Sequence, residues 1–477
     1  MAAKKSITKN YIYNVLYQLL TILTPLITTP YVSRILGSSG VGQYELTQAN
    51  VQYFILAGTI GLNMYGQREV AYVQNSIEKR SEVFWELTIL RVVTMAVSMA
   101  VYACFIPFTG VYRLLYLIQF LDLLANMWDV AWFFQGMEEF RLTVLRNVII
   151  RLAGIACIFL FVKKSGDVWL YVMAHSLPLL IASLSLWTYL RKYIIWPGKE
   201  KIRIKRHIKP ALALFIPQIA AQIYLVMDKT MIGAITGSDS EVAYYAQAQK
   251  IVKMLLTVVT SLCTVMLPRM SFAFAQKEYK KIQEYMQESF SFAYILAVPM
   301  VFGIIGVSNN FVPVFFGEGY DKVKILMPLL SPIIIWIAFS NIIGYQYLLP
   351  SQKQTQYTIS ITAGAVTNFI LNSCLISRFQ SIGASVATVI AELVVTGVQL
   401  YFVRNEFPCG TLLKNSVKFL ISGITMMAVV LAIGRYIHGV KGIVVQVAVG
   451  TVVYAVGLLV LREKTIWKII EKEKNGR

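Results

Sequence analysis

Two lysines beside a long apolar stretch are the residues of this chain with the clearest chemistry. Lys250 and Lys253 follow EVAYYAQAQ and precede MLLTVVTSLCTVML, a run without any charge. A charge at membrane depth costs several kcal/mol, so it persists mainly beside water, an opposite charge or an anionic ligand. The two lysines therefore predict a water-filled cavity that binds an anion. Pairing with buried acids is the alternative, for which Asp228 and Glu392 are the main acids of this half of the chain.

An earlier stretch, 30–48, repeats the residue types that surround these lysines. It shares with 226–249 a cation before a glycine, a polar turn, a tyrosine and a closing glutamine. The matching residues are Arg34, Gly37, Tyr44 and Gln48 in the first stretch and Lys229, Gly233, Tyr245 and Gln249 in the second. The pattern indicates an internal duplication. Repeats of this kind in transporters place the binding site at the interface of the two copies.

The elements that carry these residues are predicted to be membrane helices. The chain is 57% hydrophobic and 14% charged, with a mean hydropathy of +0.62, which is too apolar for a soluble fold. About fourteen segments have the roughly 20 apolar residues that a spanning helix needs. They lie near 10–36, 41–66, 82–107, 111–136, 143–163, 168–191, 208–235, 242–268, 286–309, 322–349, 356–376, 382–404, 411–434 and 440–462. We expect an all-α integral membrane protein with two pseudo-symmetric six-helix lobes and two C-terminal helices.

A basic polar stretch divides the predicted lobes. The expected divisions are an N-lobe with helices 1 to 6 at 1–190, a cytoplasmic linker at 191–209, a C-lobe with helices 7 to 12 at 210–406, helices 13 and 14 at 407–463, and a cytoplasmic tail at 464–477. Helices 13 and 14 lie outside the duplication. They are interpreted either as a lipid-facing groove for a polyprenyl tail or as accessory helices.

The net charge of +20 has its explanation in the loops. Lysine and arginine cluster in alternate loops, which is the pattern that orients membrane proteins with the positive loops in the cytoplasm. Both termini are therefore predicted in the cytoplasm, and the linker is predicted to contact anionic lipids of the inner leaflet. This distribution argues against a nucleic-acid partner.

Polar residues of helices 1, 2, 7 and 8 are predicted to line the cavity. Some of them follow helical spacing, although packing between helices is an equal alternative for the stripe in helix 1. Glu45 lies close in depth to Arg34, and a plain salt bridge or an outer gate are the two interpretations. The candidate cavity residues are Asn14, Gln18, Arg34, Glu45, Gln48, Gln218, Gln222, Asp228, Lys229, Gln247, Lys250 and Lys253.

Helices 3 to 5 hold a second group of charges, namely Arg91, Asp122, Asp129 and Arg151. Counted from the ends of their helices, Arg91, Asp129 and Arg151 fall at one depth. Opposite charges at matched depth most often neutralise each other inside a bundle, and an ion-coupling site is the alternative. Asp122 lies two turns deeper without an evident partner in the sequence, so it is the better candidate for carrying a proton.

The stretch WDVAWFFQGMEEFR, from Trp128 to Arg141, is rich in aromatic residues at the end of helix 4. Aromatic residues in that position are usually anchors at the membrane surface. Sugar stacking on Trp128 or Trp132 is the alternative.

Several long runs resemble one transporter family. They are WFFQGMEEFRLTVLRNVIIRLAGIACIFLFVKKSGDVWLY, PQIAAQIYLVMDKTMIG, EVAYYAQAQKIVKMLLTVVTSLCTVMLPRMS and GAVTNFILNSCLISRFQSIGASVATVIAELV. They resemble the polysaccharide-exporting flippases (Wzx or RfbX-like) of the multidrug/oligosaccharidyl-lipid/polysaccharide exporter superfamily. The resemblance implies alternating-access transport of undecaprenyl-diphosphate-linked oligosaccharide from the cytoplasmic to the outer leaflet, for capsule, O-antigen or a related polysaccharide. It also implies the bacterial cytoplasmic membrane, with the polymerase and glycosyltransferases of the same pathway as further partners.

Other chemistry has little support in the sequence. No GxxxxGK[ST] phosphate loop is present, and the three histidines and five cysteines form no metal-binding pattern. We therefore expect no enzyme activity, cofactor or metal, and a protein that works as a monomer. A membrane polysaccharide polymerase or ligase, the alternative from another class, would want a large external loop with acid–base groups. A cation-coupled multidrug antiporter of the same superfamily is the closest rival.

Overall fold

The computed structural model describes residues 7–198, 202–406 and 409–463. Side chains are described in these ranges except at 7–22, 140–142, 214, 216–221, 223–225, 262, 264–265 and 409–415. The secondary structure of these ranges is helical, and they contain no strand. A chain that crosses lipid as helices satisfies its backbone hydrogen bonds within each segment, so the all-α membrane fold predicted from hydropathy is confirmed.

The chain divides into two compact units, Met1–Thr230 and Met231–Arg477. The helices that begin in unit 1 are α1 (Ile7–Thr59), α2 (Leu62–Val73), α3 (Ile77–Phe105), α4 (Arg113–Met127), α5 (Ala131–Gly136), α6 (Phe140–Phe161), α7 (Val168–Ser185), α8 (Trp187–Leu190) and α9 (Lys205–Thr236). Those of unit 2 are α10 (Asp239–Ala275), α11 (Tyr279–Phe316), α12 (Val323–Leu330), α13 (Ile333–Asn341), α14 (Gln354–Val403), α15 (Cys409–Tyr436) and α16 (Gly439–Val460), with a π-helix at Ile342–Leu348.

Two of the longest helices contain a break that divides each into two segments. Gly37 has φ 67° and ψ −178° inside α1, and Gln380 has φ 54° and ψ −132° inside α14. When these breaks are counted and short consecutive helices such as α4 and α5 are joined, the described residues form fourteen successive long segments. The predicted number of helices is therefore confirmed, with the short α2 as an addition.

A stricter test of length and hydropathy finds fewer spans. Within the described residues, nine helices are long and apolar enough to cross a membrane. α10 is a tenth if its two parts are counted as one span; they meet at a bend of 42° between Ser261 and Met266. The chain is a multi-pass membrane protein on either criterion.

Unit 1 packs mainly through contacts of α4 with α7 and of α1 with α3, α4 and α6. An aromatic core lies where α2, α3 and α5 meet, and it contains Trp132, Phe133 and Phe134, each at most 2% exposed. The interpretation of Trp132 as an anchor at the membrane surface is therefore wrong. The predicted helix 4 runs continuously over 111–136, whereas α4 ends at Met127 and α5 begins at Ala131.

In unit 2, α15 and α16 pack on α11 and on each other. Gln446 of α16 is fully buried, and its Nε2 donates to the carbonyl oxygens of Val430 at 2.9 Å and Gly306 at 3.3 Å. Its Oε1 accepts from Asn310 Nδ2 at 3.0 Å. Hydrogen bonds between helices hold apolar segments together in lipid, so the two C-terminal helices are firmly joined to α11.

Each of the two repeated stretches has a glycine in the left-handed backbone conformation. Gly37 and Gly237 have φ values of 67° and 62°, a conformation that glycine adopts without a steric penalty. Each introduces the helical segment that carries the matching tyrosine, Tyr44 or Tyr245. Gly233, which the sequence paired with Gly37, lies within α9, so the pairing of these two glycines is wrong by one helical turn.

Candidate functional site

The last turns of α9 that belong to unit 1 bind a polar face of α1. Lys229 Nζ lies 2.6 Å from Glu45 Oε2, and the two side chains are 22% and 8% exposed. One residue further, Thr230 Oγ1 donates to Asn50 Oδ1 at 3.1 Å. Asp228 is 2% exposed and lies near Tyr53, which also contacts Thr230. A single helical turn of α9 therefore presents one cation, one carboxylate and one hydroxyl donor to this region of unit 1.

Residues of α4 extend this polar face. Asn50 Nδ2 donates to Tyr116 Oη at 2.7 Å, so Asn50 joins α9 to α4 through one amide. Gln119 Nε2 donates to Thr47 Oγ1 at 3.1 Å and to Gln48 Oε1 at 3.2 Å. The result is a set of connected amide, hydroxyl and carboxylate groups, which are the groups that hydrogen-bond sugar hydroxyls and phosphates.

Arg34, the cation that the sequence placed next to Glu45, donates from Nη1 to the carbonyl oxygen of Pro30 at 3.2 Å. Glu45 forms an ion pair with Lys229, 184 residues along the chain. Asp122 is 4% exposed and lies beside Ser176 on α7. Tyr44 lies within electrostatic reach of both Glu45 and Asp122, so the two carboxylates belong to one polar region of unit 1.

Arg91 and Asp129 lie together, as their matched depth predicts. Arg91 is 1% exposed, and its Nη2 is 4.0 Å from Asp129 Oδ2. Its stronger contacts are donations from Nη1 to Asn63 Oδ1 at 2.7 Å and from Nε to the carbonyl oxygen of Asn126 at 2.6 Å. These bonds fix the end of α4 to the start of α2, which supports the structural interpretation of this pair. Arg151 lies in α6 and is partly exposed.

Lys250 and Lys253 lie in α10 of unit 2, and both are partly exposed. They follow the first residue of α10, Asp239, by 11 and 14 residues, or about 17 and 21 Å along the helix. Gln247 lies one turn earlier and is 2% exposed.

The remaining candidates divide into two groups. Gln222 is exposed on α9, and Gln48 is partly buried on α1. The side chains of Asn14, Gln18 and Gln218 lie outside the described residues. Among the described residues, no group of three or more His, Cys, Asp or Glu residues could hold a metal ion.

Sequence reasoning missed Asn50, Tyr116 and Thr230. Asn50 is off the helical stripe of Glu45 and Gln48, and Tyr116 lies in an apolar run where a tyrosine is usually a packing residue. The only available signal was that Thr230 follows Lys229 directly, within the repeated stretch.

Comparison with known proteins decides the family. The model of the family described as "Polysaccharide biosynthesis protein" matches residues 7–274, more than half of the chain. The chain belongs to this family. The family resemblance seen in the sequence is thereby confirmed. A second family model, MatE, matches residues 213–374 of the chain.

Several relatives of this family member are named as flippases or transporters. A putative O-antigen transporter of Escherichia coli K12 is 24% identical over 409 residues, which cover 84% of this chain and 98% of the relative. A probable low-salt glycan biosynthesis flippase of Haloferax volcanii is 23% identical over 190 residues, which cover 40% of each chain.

Solved structures agree on the fold of the family member. It is similar to a lipid II flippase MurJ in an inward closed conformation, with a TM-score of 0.74, 15% identity, and coverage of 95% of this chain and 100% of that chain. It is also similar to an inward-facing multidrug resistance MATE family transporter of the MOP superfamily, with a TM-score of 0.65, 16% identity, and coverage of 83% and 96%. The predicted transporter fold is therefore confirmed.

Proposed function

We propose that this protein moves a polyprenyl-diphosphate-linked oligosaccharide from the cytoplasmic to the outer leaflet by alternating access. The observation that carries the proposal is the position of Lys250 and Lys253. They lie about 17 and 21 Å along α10, and both side chains are partly exposed. Positive charge inside a membrane attracts a diphosphate strongly, because the surrounding dielectric constant is low. The names of the relatives and the family membership agree with this cargo.

The polar face of unit 1 supplies the other groups that the cargo requires. Gln48 and Asn50, which are partly exposed, offer amides for sugar hydroxyls, and Lys229 offers a further cation. Glu45 holds Lys229 in the structure. A diphosphate would compete with this carboxylate for the lysine, so the Glu45–Lys229 pair sets the charge that the cargo meets.

The setting of this transport is the bacterial cytoplasmic membrane, with both termini in the cytoplasm. The lobes are those at 1–190 and 210–406, joined by the linker at 191–209 and followed by helices 13 and 14. The protein moves its cargo without converting it chemically and acts as a monomer. Its partners are the lipid-linked oligosaccharide, membrane lipids, and the polymerase and glycosyltransferases of the same pathway. The alternating loop charges of the sequence support this orientation.

Multidrug antiport is the second candidate, and the MatE match to residues 213–374 favours it. The two functions require opposite charge in the binding site, because organic cations are repelled by exposed lysines. A ligand that binds the folded state raises its thermal unfolding midpoint. We expect a polyprenyl-diphosphate oligosaccharide to raise the midpoint of the purified protein and a lipophilic organic cation to leave it unchanged. The reverse result would establish the antiporter in place of the flippase.

Asp122 is the proposed ion-coupling residue. It is nearly excluded from solvent, and an intramembrane acid of this kind is costly unless it has a function. Asp122→Asn is expected to slow gradient-driven lipid movement about ten-fold, equivalent to about 1.4 kcal/mol, while the midpoint shift caused by the lipid stays at the wild-type value. Asp129→Asn, in the pair with Arg91, serves as the matched control. An Asp122→Asn protein that moves lipid at the wild-type rate would exclude this role.

A further inference from the structure

A buried carboxylate on α3 holds the beginning of α9. Glu86 is 0% exposed. Its Oε1 accepts a hydrogen bond from the backbone N–H of Arg203 at 2.6 Å, and its Oε2 accepts from Arg206 Nε at 3.0 Å. His207 Nε2 lies 2.7 Å from the same Oε2. Negative charge is favourable where a helix begins, so Glu86 fixes the entry of the chain into α9.

The contact continues from α9 to α2. The hydroxyl of Tyr65 lies 2.7 Å from His207 Nδ1, and both residues are 3% exposed. A neutral imidazole with its proton on Nε2 satisfies both neighbours, because it donates to Glu86 and accepts from Tyr65. We refer to the contacts among Tyr65, Glu86, Arg206 and His207 as the latch.

Hydrogen bonds and ion pairs hold the latch residues together. A cavity of about 330 Å³ lies beside it, lined by Tyr65, Glu69, Val73, Lys79, Glu82, Val83, Arg206 and His207. Arg206 and His207 of α9 therefore line this cavity and also contact the buried carboxylate of Glu86. Charge pairs of this kind add little net stability.

The far end of the unit 1 part of α9 is held by another carboxylate. Lys229, bound to Glu45, follows His207 by 22 residues, or about 33 Å of helix. One turn of the helix at each end is thus tied to unit 1, by Glu86 on α3 and by Glu45 on α1. The helix then continues beyond Thr230 into unit 2.

We propose that the latch is a positioning device of the transport cycle. When closed, it fixes the start of α9 and so the position of Lys229 relative to Glu45. When open, it releases this end of α9 from α3, and transport requires both states. Bistable contacts of this kind are how rigid helices switch position. This role rests on the proposed transport function, whereas the hold of Glu86 on α9 does not.

The first test asks whether the latch must open. Tyr65→Cys/His207→Cys is introduced into a variant without the five native cysteines, and the two thiols are joined by a short reducible linker. We expect linked protein in proteoliposomes to lose lipid transport at least about ten-fold and reduction to restore it, as for other gating motions. The matched control is Lys79→Cys/Glu82→Cys, which places the linker on α3 alone. Transport by the linked protein at the rate of the unlinked protein would overturn the proposal.

The second test separates the latch from transport. Glu86→Gln is expected to raise hydrogen exchange of the amides at the start of α9 about ten-fold or more, because local opening sets exchange. Glu82→Gln, which lines the same cavity, should leave it unchanged. Equal exchange in the Glu86→Gln variant and the wild type would overturn the hold of Glu86 on α9. If the wild type moves no lipid, the proposed function and the transport role of the latch both fail. The exchange experiment still shows whether Glu86 holds the start of α9.

Discussion

The two units use buried carboxylates in different ways. In unit 1, Glu45 and Glu86 bind cationic residues of α9, a helix that continues across the boundary of the unit. In unit 2, Glu241 binds Lys322, in the turn before α12, and Ser381, directly after the break at Gln380 in α14 of the same unit. The two carboxylates of unit 1 therefore hold a helix that continues beyond the unit, whereas Glu241 joins two parts of the same unit.

The contact of Glu241 engages both of its carboxylate oxygens. Lys322 Nζ lies 2.7 Å from both carboxylate oxygens, and Ser381 donates from Oγ at 2.6 Å and from its backbone N–H at 3.1 Å. Lys322 also donates to Gln380 Oε1 at 2.9 Å. Gln380 has a φ of 54°, which is strained for a residue with a side chain and persists only where its surroundings fix it. Rigidity is therefore the expected property of this end of unit 2.

The largest expected effect on stability comes from Glu241→Gln. Removing one partner of a buried ion pair costs about 3–5 kcal/mol, because the other charge stays buried. We expect a strongly lowered thermal unfolding midpoint for the purified protein. Glu288→Gln, at an exposed position of α11, is the control and should unfold as the wild type does. Equal midpoints for the two variants would remove the contrast between the units.

Glu45→Gln is expected to lower transport as well as stability, because it removes the carboxylate that Lys229 binds just as Glu241→Gln removes that of Lys322. The variant keeps a hydrogen-bond acceptor for Lys229 but removes the charge, so transport should fall about ten-fold, equivalent to about 1.4 kcal/mol. The measurement is lipid movement at matched amounts of folded protein. Glu69→Gln, whose ion pair with Arg68 lies between neighbours on the surface, should transport normally. A Glu45→Gln variant that only unfolds earlier would assign Glu45 the same role as Glu241.

A smaller effect is expected where unit 2 holds its C-terminal helices. Gln446→Leu removes the hydrogen bonds to Asn310 and to the carbonyl oxygens of Val430 and Gly306. Each interhelical bond in a membrane contributes about 0.6 kcal/mol on average, so a loss of about 1–2 kcal/mol in unfolding free energy is expected. Thr425→Val is the control, because Thr425 bonds only within α15 in the described contacts. A loss as large as that of Glu241→Gln would show that α15 and α16 are held as rigidly as the end of unit 2 around Glu241.

The smallest effect is expected at Lys353 and Glu406. Burial opposes the charge of Glu406, but hydrogen bonds from Lys353 and Tyr347 lower its pKa overall. A lowered pKa stabilises the folded state at pH values above the ordinary carboxyl pKa. That contribution is lost as the pH falls through the lowered pKa. Because Glu406 is 40% exposed, Lys353→Met should cost about 0.5 kcal/mol or less at neutral pH. Unfolding midpoints of variant and wild type should therefore converge on acidification, and a difference that grows in acid would contradict the sign.

Hydropathy predicted the helices well for a physical reason. A lipid-spanning segment must satisfy its backbone hydrogen bonds within itself, so an apolar run of sufficient length has one main solution. The same argument says nothing of the short α2 or of the π-helix at Ile342–Leu348, which depend on packing. It also missed the burial of Trp132, since membrane anchors and core aromatics have the same residue types.

The candidate site was predictable in residue type and less so in pairing. Glu45 and Lys229 were both named from their charge inside apolar helices. Arg34 is the partner of Glu45 that the sequence suggests, because it is near in the chain, but the ion pair of Glu45 with Lys229 joins residues 184 positions apart and is not visible in the sequence. The order of residues does not state which helices become neighbours. For the same reason Glu86 and His207, separated by 121 positions, gave no signal at all.

The most direct test of the proposed function is transbilayer movement of a lipid-diphosphate oligosaccharide in proteoliposomes, measured for the wild type and for Lys250→Ala/Lys253→Ala. We expect the wild type to move the lipid and the folded double variant to lose at least about ten-fold of that rate, since both positive charges are removed. A double variant with full activity would make the lysines structural. A wild type that moves no lipid would contradict the flippase function itself.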